Sequence, residues 1–464
     1  MISFTARGKA KQQIIQKYSF WYVKALRAGI AAIMVIAPFY APLSVWAASR
    51  LQHADFFKIW KEFALTVLGV ILATFLLTHH KFVRQVIRTR LAVAILAYIL
   101  LILVTGAYDL VTNRVGDEAV IYGLIVDLRP IAIFSVAFLT FAIGVRRQIL
   151  GFPWRRIVLI PAIAVVFFGL LQSTVLPNDI LTHVGYGPNT IEPYQTIDNQ
   201  PDLVRIQSTL RGANPLGAYL IIIITMTIVA LVADKRRRLW WGLFTAGALA
   251  VMVGSYSRSA EVGLILSMLT LTFMYRGRHM RQHLVVIVTF IAITAGVGAL
   301  MLARNNYFVE NVVLHSSESS RSSQSSNSER LAAIGRGANE VIKNPLGTGV
   351  GSAGPASLRN TNGPGRIAEN YYLQIGQELG VAGMLLFISI NIMIGRELWR
   401  RRSEQLAKIL LASLIGLTFV NLVSHAWTDD ALAYIWWGLA GIASAPAILT
   451  ARRKQNGKTH QTST

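Results

Sequence analysis

The chain has 464 residues, 53% of them hydrophobic and 14% charged, yet 45 Lys and Arg stand against 22 Asp and Glu, a formal net charge of +23. A soluble globular chain carries about 25% charged residues, so this balance excludes an ordinary soluble enzyme and a disordered tail protein. The chain has no cysteine, which excludes disulfides, thiol catalysis, iron–sulfur clusters and cysteine-based zinc sites. High apolarity and high basicity coexist when basic residues are segregated between apolar membrane spans.

An apolar run of about 18 residues crosses the hydrocarbon of a bilayer as a helix. About twelve such runs are expected, near 27–48, 62–79, 91–108, 119–145, 157–176, 215–233, 239–254, 259–275, 283–303, 373–395, 407–424 and 432–450. The fold class is therefore all-α and polytopic. The first run is too long for a signal-peptide core and reads as an uncleaved signal anchor. Asp127 and Arg129 interrupt the start of the fourth. With the N-terminus inside, the short inside segments hold two thirds of the basic residues, among them Lys235 to Arg238 and Arg400 to Arg402. That bias places both termini in the cytoplasm. It also explains the net charge by topology, without nucleic acid. Arg50, Lys58 and Lys61 run against the trend in one short outside loop.

Two long loops fall outside, about 177–214 and 304–372, giving three parts: 1–303 with nine spans, the external loop 304–372, and 373–464 with three spans and a basic cytoplasmic tail. The second loop contains a serine-rich tract over 316–323, then Ser326 and Glu329 at capping-box spacing. Leu331, Ile334, Ala338 and Val341 follow on one face of a short amphipathic helix that Asn344 and Pro345 stop.

Four arginines lie at outer span ends: Arg205 and Arg211 before the sixth span, Arg258 before the eighth, and Arg330 in the long loop. A guanidinium presents a planar fork of donors that suits phosphate, although arginines at a membrane edge also snorkel to lipid headgroups. Pro215 suits the first turn of the sixth span with Asn214 as its N-cap, leaving free amides beside two arginines. Glu261 can pair with Arg258 three residues earlier. Gly347, Gly349, Gly351 and Gly354 form either a flexible loop or a place where backbone amides approach an anion. Glu369 and Glu378 stand nine residues apart, on opposite faces of a continuous helix. Glu369 precedes the apolar run and is the better-placed base, or else a carboxylate favoured by the helix dipole. Tyr371 and Tyr372 suit either a sugar or the interfacial aromatic belt. Asp429 and Asp430 read as a solvated turn rather than a metal site. His53, His183, His315 and His425 are scattered.

The arginine ahead of Asn214 and Pro215, the hairpin of Ser257 and Arg258, the outer loop with Asn344, Pro345, Leu346, Gly347 and Gly349, and the closing Glu369 and Asn370 before Tyr371, Tyr372, Leu373 and Gln374 together resemble the O-antigen ligase and polymerase superfamily. The resemblance covers roughly 200–390 and the span layout. It implies a GT-C-like membrane glycosyltransferase in the inner membrane, with a polyprenyl-pyrophosphate-linked glycan donor, a glycan or lipid acceptor, and no metal or other cofactor. On it, Arg205, Arg258 and Glu369 would be catalytic, and Arg211, Asn214, Arg330 and Asn370 would bind substrate. Glu369 falls where ligase members have histidine, which tilts the reading toward a polymerase. A multispan transporter or flippase has a similar span count. It would, however, place polar groups near the bilayer midplane, and here they gather at the outer ends.

Overall fold

The computed structural model describes residues 21–51, 54–146, 151–197, 200–276 and 326–446, together with Ile291. The span near 283–303, the serine-rich tract, His53, His315 and the basic tail lie outside these residues. Within them the chain is almost entirely helical: α1 (Trp21–Arg50), α2 (Ala54–Leu77), α3 (His80–Ile87), α4 (Arg90–Thr112), α5 (Asp117–Arg146), α6 (Trp154–Thr174), α7 (Ala213–Ala233), α8 (Arg238–Gly254), α9 (Arg258–Tyr275), α10 (Ser326–Lys343), α11 (Tyr371–Arg400), α12 (Gln405–Leu422) and α13 (430–444). Helix α1 contains a 3-10 turn at Ala37–Phe39, and α13 contains a π turn at Ala433–Trp437.

Among the described residues, eight helices are long and apolar enough to cross a membrane: α1, α2, α4, α5, α6, α7, α11 and α12. Three other expected spans are helical but fall short of that test. Helix α8 has 17 residues, α9 carries Arg258 and Glu261 in its first turn, and α13 is divided by its π turn. The all-α expectation also misses a small antiparallel hairpin, β1 (Gln195–Ile197) and β2 (Gln200–Arg205), with Gln195 opposite Arg205.

Helix α7 lies at the centre. Its sequence is apolar on every side, so it is buried all round, from Leu216 through Val229. It packs against α8, α9 and α12. Small residues set the tightest crossing: a Cβ added at Gly263 of α9 would lie 2.9 Å from the Gly416 carbonyl of α12, the close backbone approach that membrane helices favour. Some polar groups inside the bundle are matched across helices. Thr245 donates to Thr227 at 2.8 Å, and the Trp436 indole donates to Ser413 at 3.1 Å.

The charges that seemed to interrupt the fourth span do not break α5. Arg129 is buried and pairs with Glu62 at 2.9 Å and Asp430 at 2.6 Å, and it donates to the Thr428 carbonyl. Lys61 joins the same group, 3.3 Å from Glu62 and 3.5 Å from Asp430, with its ammonium 3.4 Å from the Tyr40 ring centroid. This accounts for the basic residue that runs against the charge trend. Lys61 is thus paired with acids inside the bundle. Asp429 and Asp430 are thus buried, not a solvated turn: Asp430 meets Lys61 and Arg129 from distant helices, and Asp429 accepts from the Leu432 amide.

Candidate active site

Four chain segments meet at one end of the bundle. The first descends from β2. After Arg205, the Ile206 amide donates to the Gly254 carbonyl at 3.2 Å, tying the hairpin to the α8–α9 turn. Arg205 itself donates to the Ser255 carbonyl at 3.0 Å and to the Asn214 side chain at 2.6 Å. Asn214 therefore does not cap α7. The N-cap is Gly212, without a side-chain bond, because the Asn214 oxygen is taken by the guanidinium. Arg258 opens α9 on the other side of the turn. Gly217 of α7 lets this turn come close, since a Cβ there would lie 2.7 Å from those of Ser257 and Ala260.

Arg258 and Arg330 both act electrostatically on Arg205. Burial, followed by the charges of Arg330 and Arg258, pulls Arg205 down to about 10 from the usual arginine range. Two of these cations meet acids, Arg330 lying 3.7 Å from Glu369 and Arg258 acting on Glu261 of its own helix turn. Arg211 belongs to the same end but faces acids. Burial alone would lower its pKa, but Tyr122, Asp430 and Asp429 outweigh burial and raise it.

Glu369 and Asn370 form the third segment. Asn370 caps α11 by accepting from the Leu373 amide at 3.0 Å, as a span-opening asparagine should. Its own amide group donates to the Leu422 carbonyl at 2.9 Å, and the Tyr371 amide donates to Ser424 at 3.2 Å. These bonds draw the end of α12 against residues 369–371. Glu369 has φ of 50°, so it precedes the helix in a left-handed turn rather than occupying a helical face opposite Glu378. Its carboxylate lies 3.7 Å from Arg330 of α10. Glu378 is fully buried and faces Asp127. Tyr371 is fully buried and Tyr372 nearly so, packed edge-on or tilted against Phe387. Neither tyrosine forms an exposed sugar platform or a membrane belt.

Helix α10 buries Ala333, Gly337 and Val341 and leaves Leu331 70% exposed. Its inward face is thus turned from the expected one, and this turn carries Arg330 toward Glu369. The glycine loop after α10 brings backbone amides to carboxyl groups, but these are the protein's own. The Val350 amide donates to Asp109 at 2.8 Å and the Ala353 amide to Glu378 at 3.3 Å, while Thr348 and Gly349 bond to carbonyls of α11. The loop's amides are spent on α11 around its break at Gly380 and on these carboxyl groups.

Sequence reasoning left two groups out of the site. His425 follows α12, and its Nδ1 is buried with no hydrogen-bond partner. Burial lowers its pKa, Glu369 opposes that, and Arg211 and Arg330 add to the lowering. Asp429 is raised to about 6, first by burial and then by Asp430. A lone histidine and an acidic pair carry no local pattern that marks them.

Residues 243–388, just under a third of the chain, match the family model described as O-antigen ligase. The match supports the O-antigen ligase and polymerase superfamily for this chain. The O-antigen ligase segment takes in Arg258, Arg330, Glu369 and Asn370, while Arg205, Arg211 and His425 lie outside it. No curated protein matches the chain. Together with the apolar helices, the match makes this a multi-pass membrane protein with a glycan ligase- or polymerase-like role, for which lipid-linked glycans are the implied substrates.

Proposed function

We propose that the protein is a metal-independent glycosyltransferase that moves or polymerises a polyprenyl-pyrophosphate-linked glycan on the outer face of the cytoplasmic membrane, with both termini inside. One observation carries the reading: Arg330 lies 3.7 Å from the Glu369 carboxylate, and Arg330 and Arg258 both act electrostatically on Arg205. As the acceptor oxygen attacks the anomeric carbon, the electron pair of the breaking bond leaves on pyrophosphate. Fixed guanidinium groups stabilise that growing charge most strongly where water is scarce. Glu369 receives the acceptor proton, with Arg330 orienting its carboxylate. Asn214 holds Arg205, and Asn370 holds the turn that presents Glu369. A carboxylate at the position of the ligase histidine favours a polymerase.

The test is the inventory of lipid-linked glycans and finished polymer in cells lacking the protein. Single repeat units without long chains are expected. Complete chains stranded on the carrier would make it a ligase. An unchanged inventory would refute glycan transfer and leave transport, which purified protein in vesicles would then report.

A further inference from the structure

The short helix α3 joins α2 to α4, two helices long and apolar enough to span a membrane, so it lies at a membrane surface. Helical spacing divides its residues between two faces. Phe82 and Val86, four apart, are buried against the bundle. His80, Arg84 and Arg88 recur four apart on the other side, flanked by Val83 and Ile87, and these five residues line an open cavity of about 490 Å³. From there α4 runs 23 residues, about 35 Å, to Thr112. Just beyond it Arg114 donates to the Gly347 carbonyl at 2.6 Å. The cavity therefore sits at the opposite end of α4 from the glycine loop, far from the candidate active site.

Two features set this face apart. The sequence has no acid between Glu62 and Asp109, and among the described residues the exposed Arg84 and Arg88 have no ion pair and no side-chain hydrogen bond. Arginines elsewhere on the surface do find acids: Arg359 meets Glu118, Arg366 meets Glu340 and Arg401 meets Glu404. Next to the two free guanidinium groups, Ile87 is 45% exposed. An apolar edge beside a cationic face is the pattern of a helix lying in the plane of the lipid headgroups.

We propose that α3 binds the headgroup of an anionic phospholipid, its phosphodiester bridging Arg84 and Arg88 and its first acyl carbons lying on Val83 and Ile87. Side chains four apart on a helix have Cβ atoms about 5–6 Å from each other, so both guanidinium forks reach one phosphate. Charge complementarity selects the lipid. A zwitterionic headgroup brings a cation to a face that has no acid to meet it, whereas an anionic one brings only the phosphate charge. On the proposed topology this is the cytoplasmic surface, where anionic lipids attract basic segments. A lipid held there braces the connection between α2 and α4.

The test uses the full-length protein in phosphatidylcholine nanodiscs with graded phosphatidylglycerol, and native mass spectrometry counts the phosphatidylglycerol that stays bound. Arg84→Gln combined with Arg88→Gln is expected to weaken retention about 30-fold, since each basic residue near an anionic lipid surface contributes about a factor of five. Arg236→Gln combined with Arg237→Gln removes the same charge at the exposed α7–α8 turn and is expected to leave retention unchanged. Equal losses in the two double variants, or no loss in the first, would overturn the site. Ile87→Ser should weaken retention with both arginines in place, and soluble glycerol phosphate should fail to displace the lipid. Full displacement by glycerol phosphate, together with an indifferent Ile87→Ser, would make this a free-anion site and overturn the lipid assignment. Phosphatidylglycerol should also raise the Tm of the wild type more than that of the Arg84 and Arg88 double variant. Each outcome reads lipid binding alone and stands whether or not the protein transfers glycan.

Discussion

Arg205→Ala separates a substrate-binding guanidinium from one that merely holds the fold together. In the resting protein the substitution deletes two hydrogen bonds, to Asn214 at 2.6 Å and to the Ser255 carbonyl at 3.0 Å. Each has a charged donor and is worth about 1.5–3 kcal/mol. Against that loss stands relief, since Arg205 is repelled by Arg330 and Arg258 strongly enough to help draw its pKa down to about 10. The resting protein should therefore lose less than the roughly 3–6 kcal/mol of two such bonds, a fall of several degrees in Tm. The reaction suffers a loss of its own, because removing one fixed donor from a developing anion costs about 10²–10³-fold in kcat. Arg205→Lys keeps the charge but not the fork that spans Asn214 and Ser255, and it should recover activity only in part. The assay is turnover of lipid-linked glycan by the protein in proteoliposomes, alongside thermal unfolding with and without inorganic pyrophosphate. Pyrophosphate should raise the Tm of the wild type more than that of Arg205→Ala. Wild-type turnover in the alanine variant, or a collapse of its Tm, would refute the reasoning.

The remaining expectations concern the base, the fold and the topology. Glu369→Gln should lose about 10²–10⁴-fold in single-turnover rate with pyrophosphate binding intact, and Glu369→His should keep some activity with a shifted pH optimum. Gly349→Ala should destabilise by several kcal/mol or prevent folding, since φ there is 109° and a Cβ would lie 2.7 Å from the Asp109 carboxylate. Gly335→Ala, with open space around it, should instead stabilise α10 by about 0.5–1 kcal/mol; thermal unfolding compares the two. Asp429 is raised to about 6 by burial, so the folded state holds its proton more tightly than the unfolded chain, and stability falls as pH rises from about 4 to 6. Asp429→Asn keeps the cap on Leu432 and should raise Tm at pH 7.5, by at most about 3 kcal/mol in stability, with no gain at pH 4. A cysteine at Asn362 should react with an impermeant thiol reagent on intact cells and one at Arg236 only after permeabilisation; the reverse would invert the topology.

The apolar runs were legible because spanning length and hydropathy are local properties. So was the stop of α10 at Lys343, where Asn344 and Pro345 end the helix. Local pattern failed wherever a distant partner outbid a near one. Asn214 and Pro215 carry every mark of a helix start, yet the Asn214 oxygen goes to Arg205. Asp429 and Asp430 look like a surface turn until Lys61 and Arg129 arrive from α2 and α5. The glycines of the 347–354 loop do bring amides to carboxylates, but those of Asp109 and Glu378. His425 is the hardest case. Its nearness to Glu369 depends on two hydrogen bonds between segments some fifty residues apart, and a single histidine offers no periodicity or spacing by which to find it.

Backbone strain gives a separate argument that this end of the bundle is built for more than packing. Four residues other than glycine adopt positive φ among the described residues, and three of them, Ser208, Tyr256 and Glu369, lie in the segments that carry Arg205, Arg258 and the candidate base. A bulky residue in the left-handed region costs about 1–3 kcal/mol and persists only where its surroundings over-determine it. Those surroundings are present. Ser208 is locked by its amide on Gln172 at 2.7 Å and its hydroxyl on the Val165 carbonyl at 2.7 Å. Tyr256 sits in the hairpin clamped by Ile206 and Arg205. Glu369 is followed at once by the Asn370 cap and the clasp to α12. Glycine at 369 would relieve the strain in a single change, but it would delete the carboxylate that meets Arg330. The chain instead keeps the strained glutamate and spends hydrogen bonds of the adjoining turn to hold it, the trade that the proposed role of its carboxylate predicts.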